Sequence, residues 1–380
     1  MSRAGAASHA PVMPDLPLLT LSLALILVGL VAITSASVEY AQINYGNTWF
    51  HAQRHVMYMM AAGLCALAIY RIPMAFWEDT GWVWLFVALG LLILVLVPGI
   101  GREVNGSQRW LPLGPFTLQP SEFAKMAMII YLAGYMVRRE HEVRNQWQGF
   151  LKPMAVLFAA TLLLMVEPDF GATVIVAGSA FGMLFLAGVK LGHFMVVLAG
   201  AVGALLVLVV SEPYRVQRLT AYTDPWADPY NTGFQLTQSL IAYGRGEWFG
   251  VGLGNSVQKL FYLPEAHTDF VFSIWAEETG FVGALCVILL YAALIGRILW
   301  VGRSAQLAAY AFGAYVCYGV ALVFFGQAFV NMGVSSGLLP TKGLTLPFVS
   351  YGGTSLIVCC AMLALVLRID RHVRGQGGRA

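Results

Sequence analysis

The chain has 380 residues, 59% of them hydrophobic and only 11% charged, with 40 glycines among long apolar runs and a formal net charge of +3. That composition excludes a soluble domain of this size, and so weak a charge gives no reason to expect a nucleic-acid partner. Alternating ten-residue barrel segments are absent, which leaves helices as the one other way to satisfy backbone polar groups in lipid.

Residues 1–15, ending "PVMPD", read as a short tail. The apolar run at 16–38 exceeds the core of a secretory signal, and no cleavage site follows it, so it is expected to remain as the first span. Further runs near bilayer-crossing length lie at 55–70, 81–97, 121–137, 152–167, 170–189, 193–210, 270–296, 306–331 and 350–368. The expected fold is therefore an all-α polytopic membrane protein: about ten spans in one domain over 16–371, a large loop at 211–269 between spans seven and eight, and a second tail at 372–380. Cys65, Cys286, Cys317, Cys359 and Cys360 all fall inside apolar runs, where they are expected as small buried residues and not as disulfides.

Polar residues in so apolar a chain carry most of the information. His51 and His55 stand four apart, a spacing that suits a metal, but with no further ligand nearby they are expected as interfacial polar residues. Glu122 and Lys125 stand three apart at the start of the fourth span and share a helix face. They can pair with each other, or Lys125 can join Arg109 of the preceding loop in meeting an anionic headgroup. In "EPDFGAT", 167–173, Asp169 is expected to cap the next helix. The loop 211–269 mixes prolines and glycines with Tyr214, Tyr222, Trp226, Tyr230, Trp248 and Phe261, the content of a structured loop lying on a bilayer. Its "GVGLGNS", 250–256, lacks the flanking strand and helix of a dinucleotide site and reads as flexible backbone. The loop ends in "PEAHTDF", which gathers Glu265, His267 and Asp269 at the lip of an apolar run interrupted only by Ser273, Thr279 and the pair Glu277-Glu278. Near the C-terminus, 331–355 is polar and glycine-rich. Irregular backbone at membrane depth must be buried in protein or line a wet cavity, so this stretch is expected to share a cavity with "PEAHTDF".

Alternating the connections assigns 13 Lys and Arg to the side holding both termini and 8 to the other, four of those eight within the long loop 211–269. The bias places both termini in the cytoplasm, and 211–269 outside. No ATP is available there, so an enzyme acting outside must take a substrate that carries its own activation.

The stretch "QLTQSLIAYGRGEWFGVGLGNSVQKLFYLPEAHTDFVFSIWAEETG", 235–280, resembles the signature region of the SEDS family of cell-wall glycosyltransferases. "NGSQRWL", "QPSEFAK", "EPDFGAT" and "LPTKGLTLPFVSYGGTS" resemble that family too, in family order, across roughly Leu16 to Arg371. "QSLIAYGRGE" and "QKLFYLPEAHTDF" are closer to its division branch than to its elongation branch. The resemblance implies a ten-span peptidoglycan polymerase at the division septum of a bacterial inner membrane. It would join lipid II units into β-1,4 glycan strands, release undecaprenyl pyrophosphate, and use Asp269 as its catalytic residue.

The residues agree with that implication. A pyrophosphate departs without protonation, so one base suffices where a hydrolytic glycosidase needs an acid as well. Asp269 would take the proton of the acceptor hydroxyl, and cations would stabilise the departing pyrophosphate. The substrate-binding candidates are Arg109, Glu122, Lys125, Arg215, His267, Lys342 and Ser350, with Arg218 beside Arg215. The sequence shows no closed ligand set for a cofactor, although a divalent cation, Mg or Mn, could assist through a carboxylate. The implied partners are an FtsI-like class B penicillin-binding protein and other divisome membrane proteins of FtsQ, FtsL, FtsB and FtsN type. The small residues of "AAYAFGAY", 308–315, offer a docking face for the transpeptidase's span. The chain itself lacks the S-x-x-K, S-D-N and K-T-G set of a transpeptidase. Two rival functions remain: a lipid II flippase without chemistry, and a division scaffold that recruits the transpeptidase.

Overall fold

The computed structural model describes residues 14–104, 107–114, 116–210, 222–340 and 343–377. Ten helices of 17 residues or more lie among them: α1 Leu16–Tyr45, α2 Phe50–Arg71, α3 Met74–Leu96, α4 Pro120–Arg138, α6 Trp147–Val166, α7 Phe170–Leu186, α8 Leu191–Val210, α10 Val271–Leu307, α11 Ala311–Ser335 and α12 Gly353–Gly377. Two shorter helices, α5 Glu140–Asn145 and α9 Phe234–Gly246, also lie among the described residues. Six of the ten, α1, α3, α6, α10, α11 and α12, are long and apolar enough on those grounds alone to cross a membrane. The polar first turns of α2 and α4 and the 17-residue length of α7 explain why those three fall short of that test.

Local chemistry sets the helix ends. Asp15 accepts a hydrogen bond from Leu18 N at 2.9 Å, Pro17 sits in the first turn of α1, and Gly46 ends the helix in the left-handed conformation at φ 65°. Asp169 caps α7 through Ala172 N at 3.1 Å, as its spacing led one to expect. The helix α4 is buried on nearly every side and packs against α3, α7, α11 and α12, which makes it the centre of the bundle. Outward faces carry Phe86, Ile93, Phe158 and Leu289, apolar residues suited to lipid. At one end of the bundle Asp15 accepts from Arg297 at 2.6 Å and from Arg374 at 2.7 Å, tying α1, α10 and α12 together.

Several expectations need correction. The connection before α4 is not plain loop. It forms a three-stranded antiparallel sheet in the order β1 Arg102–Val104, β2 Ser107–Leu113, β3 Phe116–Leu118. Thr354 of α12 fastens this sheet by donating to Thr117 O at 2.6 Å and accepting from Gln119 N at 3.2 Å. Within the long loop, α9 packs against the bundle: the Ser239 hydroxyl bonds that of Ser273 at 2.6 Å and donates to Ser335 O at 2.5 Å. The stretch 308–315 is the turn into α11, where Phe312, Gly313 and Ala314 are buried in this chain's own core while Ala308, Ala309 and Ala311 are exposed. Cys286 is exposed and Cys65 half-buried, while the other three cysteines are buried, and all five are free.

The Glu277-Glu278 pair explains itself in three dimensions. The helix α10 breaks at Gly280, whose φ is 69°. The segment 247–252 crosses the break and satisfies the freed backbone: Phe281 N donates to Glu247 O, Val282 N to Trp248 O, Val251 N to Glu277 O and Gly252 N to Glu278 O, all within 2.8–3.1 Å. Both carboxylates are buried and paired. Glu277 accepts from the Ser256 hydroxyl and from Val257 N at 3.2 Å, and Glu278 from Ser35 at 2.6 Å and Lys259 at 2.9 Å. This crossing needs glycine. At Gly250, φ is +79° and a Cβ would lie 2.2 Å from Glu278 O. Gly250→Ala is therefore expected to cost about 1–3 kcal/mol, because it adds strain and a backbone clash. It should lower the apparent Tm of the purified protein, whereas Gly244→Ala, with nothing within 4 Å of its Cβ, should leave it nearly unchanged.

Candidate functional site

A cavity of about 910 Å³ opens where α2, the small sheet, the α6–α7 turn and the two polar loops converge. "PEAHTDF" forms one wall as a closed turn. Thr268 N and Phe270 N both donate to Glu265 O at 3.2 Å, and the Thr268 hydroxyl donates to the Glu265 carboxylate at 2.6 Å. Glu265 takes the left-handed φ of 55° to make this turn. The expected sharing of one cavity with 331–355 holds in part: Gly343, Leu344, Thr345, Tyr351 and Gly352 line it beside Glu265, His267 and Asp269, and Tyr351 N donates to His267 O at 3.0 Å.

Asp269 stands one residue before the cap of α10 and is half-buried at the cavity wall. Burial pushes its carboxyl from the ordinary 3.8 up to about 7. Glu265 and Asp169 push the same way, while Arg109 pulls it down. A carboxyl balanced near neutrality suits a proton acceptor. Gly343 fits against it so closely that a Cβ there would lie 2.7 Å from Asp269 Oδ2. His267 also lines the cavity, and burial lowers it to about 4, so at neutral pH it is an uncharged hydrogen-bonding group. Its ring belongs to an aromatic cluster, 5.3 Å from Tyr40 and 4.9 Å from His51 between centroids. His51 and His55 are buried, their rings packed against His267 and Tyr351 of the cavity wall. No group of three His, Cys, Asp or Glu among the described residues could hold a metal ion.

The cations divide into two sets. Arg54, Arg102 and Arg109 line the cavity. Arg109 also steadies it, donating to Glu167 O at 3.1 Å and to Pro168 O, so that β2 grips the α6–α7 turn and keeps further N–H groups to offer. Lys125 is different. It is fully buried with Nζ 2.8 Å from Glu122, and it does not line the cavity, although Glu122 does. That geometry corrects the expectation that Lys125 meets an anionic headgroup: it neutralises Glu122. Ser350 likewise stays out of the wall, its hydroxyl accepting from Leu346 N at 2.8 Å to fix the 346–350 turn. Arg215, Arg218 and Lys342 lie outside the described residues.

Sequence reasoning missed Arg54, Arg102, Gly343 and Asn331. Asn331 Nδ2 donates to Asp269 O at 2.8 Å and to Leu344 O at 2.6 Å. A polar side chain at the end of an otherwise apolar span, and an arginine just before the run 55–70, were the signals available.

A family model described as cell cycle protein, that of FtsW, RodA and SpoVE, matches residues 16–375. The chain is 55% identical over 365 residues to the probable peptidoglycan glycosyltransferase FtsW of Pseudomonas fluorescens (strain SBW25), covering 96% of this chain and 89% of that one. It is also 55% identical over 355 residues to the protein of the same description from Hahella chejuensis, covering 93% and 89%. Among solved structures it is similar to a chain from a peptidoglycan synthase complex that coordinates polymerization and crosslinking, with TM-score 0.78, 29% identity and coverage of 95% and 99%. The Thermus thermophilus rod shape determining protein RodA matches with TM-score 0.69, 28% identity and coverage of 95% and 97%.

The Glu122–Lys125 pair makes a stability prediction. Lys125→Met strands a buried carboxylate and is expected to cost about 3–5 kcal/mol, while Glu122→Gln with Lys125→Met should recover most of it. Thermal unfolding of the three proteins in one detergent checks this; a double variant no more stable than Lys125→Met would show that the pair is not the reason.

Proposed function

The chain belongs to the cell cycle protein family of FtsW, RodA and SpoVE, and from that premise we propose that this multi-pass membrane protein is a peptidoglycan glycosyltransferase polymerising lipid II. The observation that carries the reading is Asp269, a carboxyl held near neutrality in a cavity that three arginines line. Asp269 takes the proton of the acceptor GlcNAc 4-hydroxyl as that oxygen attacks the anomeric carbon of the donor MurNAc. The new bond forms as the bond to pyrophosphate breaks. The electron pair leaves with undecaprenyl pyrophosphate, and the configuration inverts from α to β. Arg54, Arg102 and Arg109 stabilise the phosphate charge, and His267, uncharged, offers a hydrogen bond to a sugar. Asp169 holds Ser121 at 3.0 Å and caps α7, so its part is to shape the wall. A divalent ion would find one or two carboxylates here and would need substrate phosphates to complete its shell; no step above runs through one.

The basic bias puts the termini in the cytoplasm and the cavity on the outer face, where lipid II presents its sugars. The joining of Asp15, Arg297 and Arg374 at one end supports that grouping of the connections. Septal location follows from the family's division branch.

Asp269→Asn keeps size and removes the proton acceptor. It should cut glycan polymerisation by the purified protein about 10²–10⁴-fold while lipid II binding persists. The wild-type rate should fall as pH drops below about 7, because the base works only when ionised. Glycan strands from wild type would separate a polymerase from a flippase or a scaffold; Asp269→Asn activity within a few-fold of wild type would refute the base.

The partner is proposed to be a class B penicillin-binding transpeptidase, with FtsQ-, FtsL-, FtsB- and FtsN-type proteins around it. This is supported by the likeness to a chain from a synthase complex that couples polymerization with crosslinking. Adding the purified transpeptidase, its serine blocked by a β-lactam, should raise the polymerisation rate; no change at saturating partner would end the activation idea.

A further inference from the structure

Asn331 lies near the end of α11, 2% exposed, and does not line the cavity. Both protons of its amide are used, one toward Asp269 O and one toward Leu344 O. These two carbonyls belong to the two segments that enclose the Asp269 carboxyl. The first hydrogen bonds of α10 run from Ser273 and Ile274 to Phe270 O, one residue past Asp269, so the Asp269 carbonyl stands outside the helix ladder. Leu344 follows Gly343, the residue whose missing side chain leaves room for Asp269 Oδ2. Leu344 also packs against Gly171 at the start of α7, where a Cβ would meet its side chain at 2.8 Å. One buried amide thus fixes the start of α10 against the loop that faces the carboxyl, and through that loop against α7.

We propose that Asn331 is a positioning residue for glycosyl transfer. It holds the Asp269 backbone at a set distance from 343–345 and so fixes where the carboxylate meets the acceptor hydroxyl. The proposal rests on Asp269 being the base. The chemistry required is narrow. Two donors must diverge from one nitrogen, which an amide supplies, whereas an aspartate at this position would turn oxygens toward two carbonyls and leucine of nearly the same shape would donate nothing. Misplacement of a reacting group by about 1 Å costs about 10²-fold in rate, far more than it costs binding.

The test is a double-mutant cycle on the full-length purified protein with lipid II as substrate: Asn331→Leu, Asp269→Asn and the two together. Asn331→Leu should lower kcat about 10²-fold with KM within about threefold, and should move the midpoint of the pH–rate profile away from wild type. In the Asp269→Asn background the same change should cost no more than about twofold, because the group it positions is gone. Full additivity, a change in KM alone, or an Asn331→Leu protein of wild-type kcat would overturn the proposal. If Asn331→Leu does not accumulate, Asn331→Ser, which keeps one donor, runs the same cycle with a smaller expected loss. Asp269→Asn at wild-type activity would remove the base reading and this proposal with it, whereas an inactive Asp269→Asn beside an unaffected Asn331→Leu would remove this proposal alone.

Discussion

Backbone that leaves its helix at membrane depth must find hydrogen-bond partners inside the protein, because lipid offers none. Two irregular features of this bundle answer that demand. The break in α10 at Gly280 is closed by 247–252, which supplies two donors and two acceptors in register with it. The loop before α12 is closed by the Asn331 amide, the Ser350 hydroxyl and Tyr291, whose phenol donates to Pro347 O. A polar cavity can exist beside lipid only because these closures keep its walls from unravelling. Glycines recur at the same places, since Gly246, Gly250 and Gly280 all stand where a Cβ would strike main chain.

Charge follows the same economy of partners. Acids that would otherwise face apolar surroundings are neutralised within the protein: Glu122 by Lys125, Glu278 by Lys259 and Asp15 by two arginines. Asp269 has no ion pair of this kind among the described residues, and the cavity is where it stands. Glu167, just beyond α6, is pushed up to about 8 chiefly by burial and does not line the cavity.

The helices were legible in the sequence because twenty apolar residues in a row leave few other readings. Their ends were less so: α1 runs on to Tyr45 and α10 to Leu307, since polar residues continue a helix beyond the lipid as readily as they end it. The extension of α1 brings Tyr40 to His267, a contact that no hydropathy window could show. "PEAHTDF" was legible as a site because charge is rare in this chain. Lys125 misled for the same reason, for rarity marks a residue as important without saying whether its partner is a substrate or a neighbour one turn away. The strands at 102–118 are too short for periodicity to register, and Asn331 needed the fold to bring it to residues 62 and 13 positions distant.

The Gly280 break has a mechanical consequence. Below it, α10 is anchored at the far end of the bundle, where Arg297 meets Asp15, and Arg374 brings α12 to the same point. Above it, the short piece 271–279 is joined sideways to 247–252 and to α9, and Asp269, just before it, is joined to Asn331. The chain is continuous, but stiffness is not. A push on the long loop is delivered to Asp269 through three lateral attachments before it reaches the lower two-thirds of the same helix. The carboxyl thus moves as part of the loop's lever arm, and the anchored helix below serves as its fixed mount.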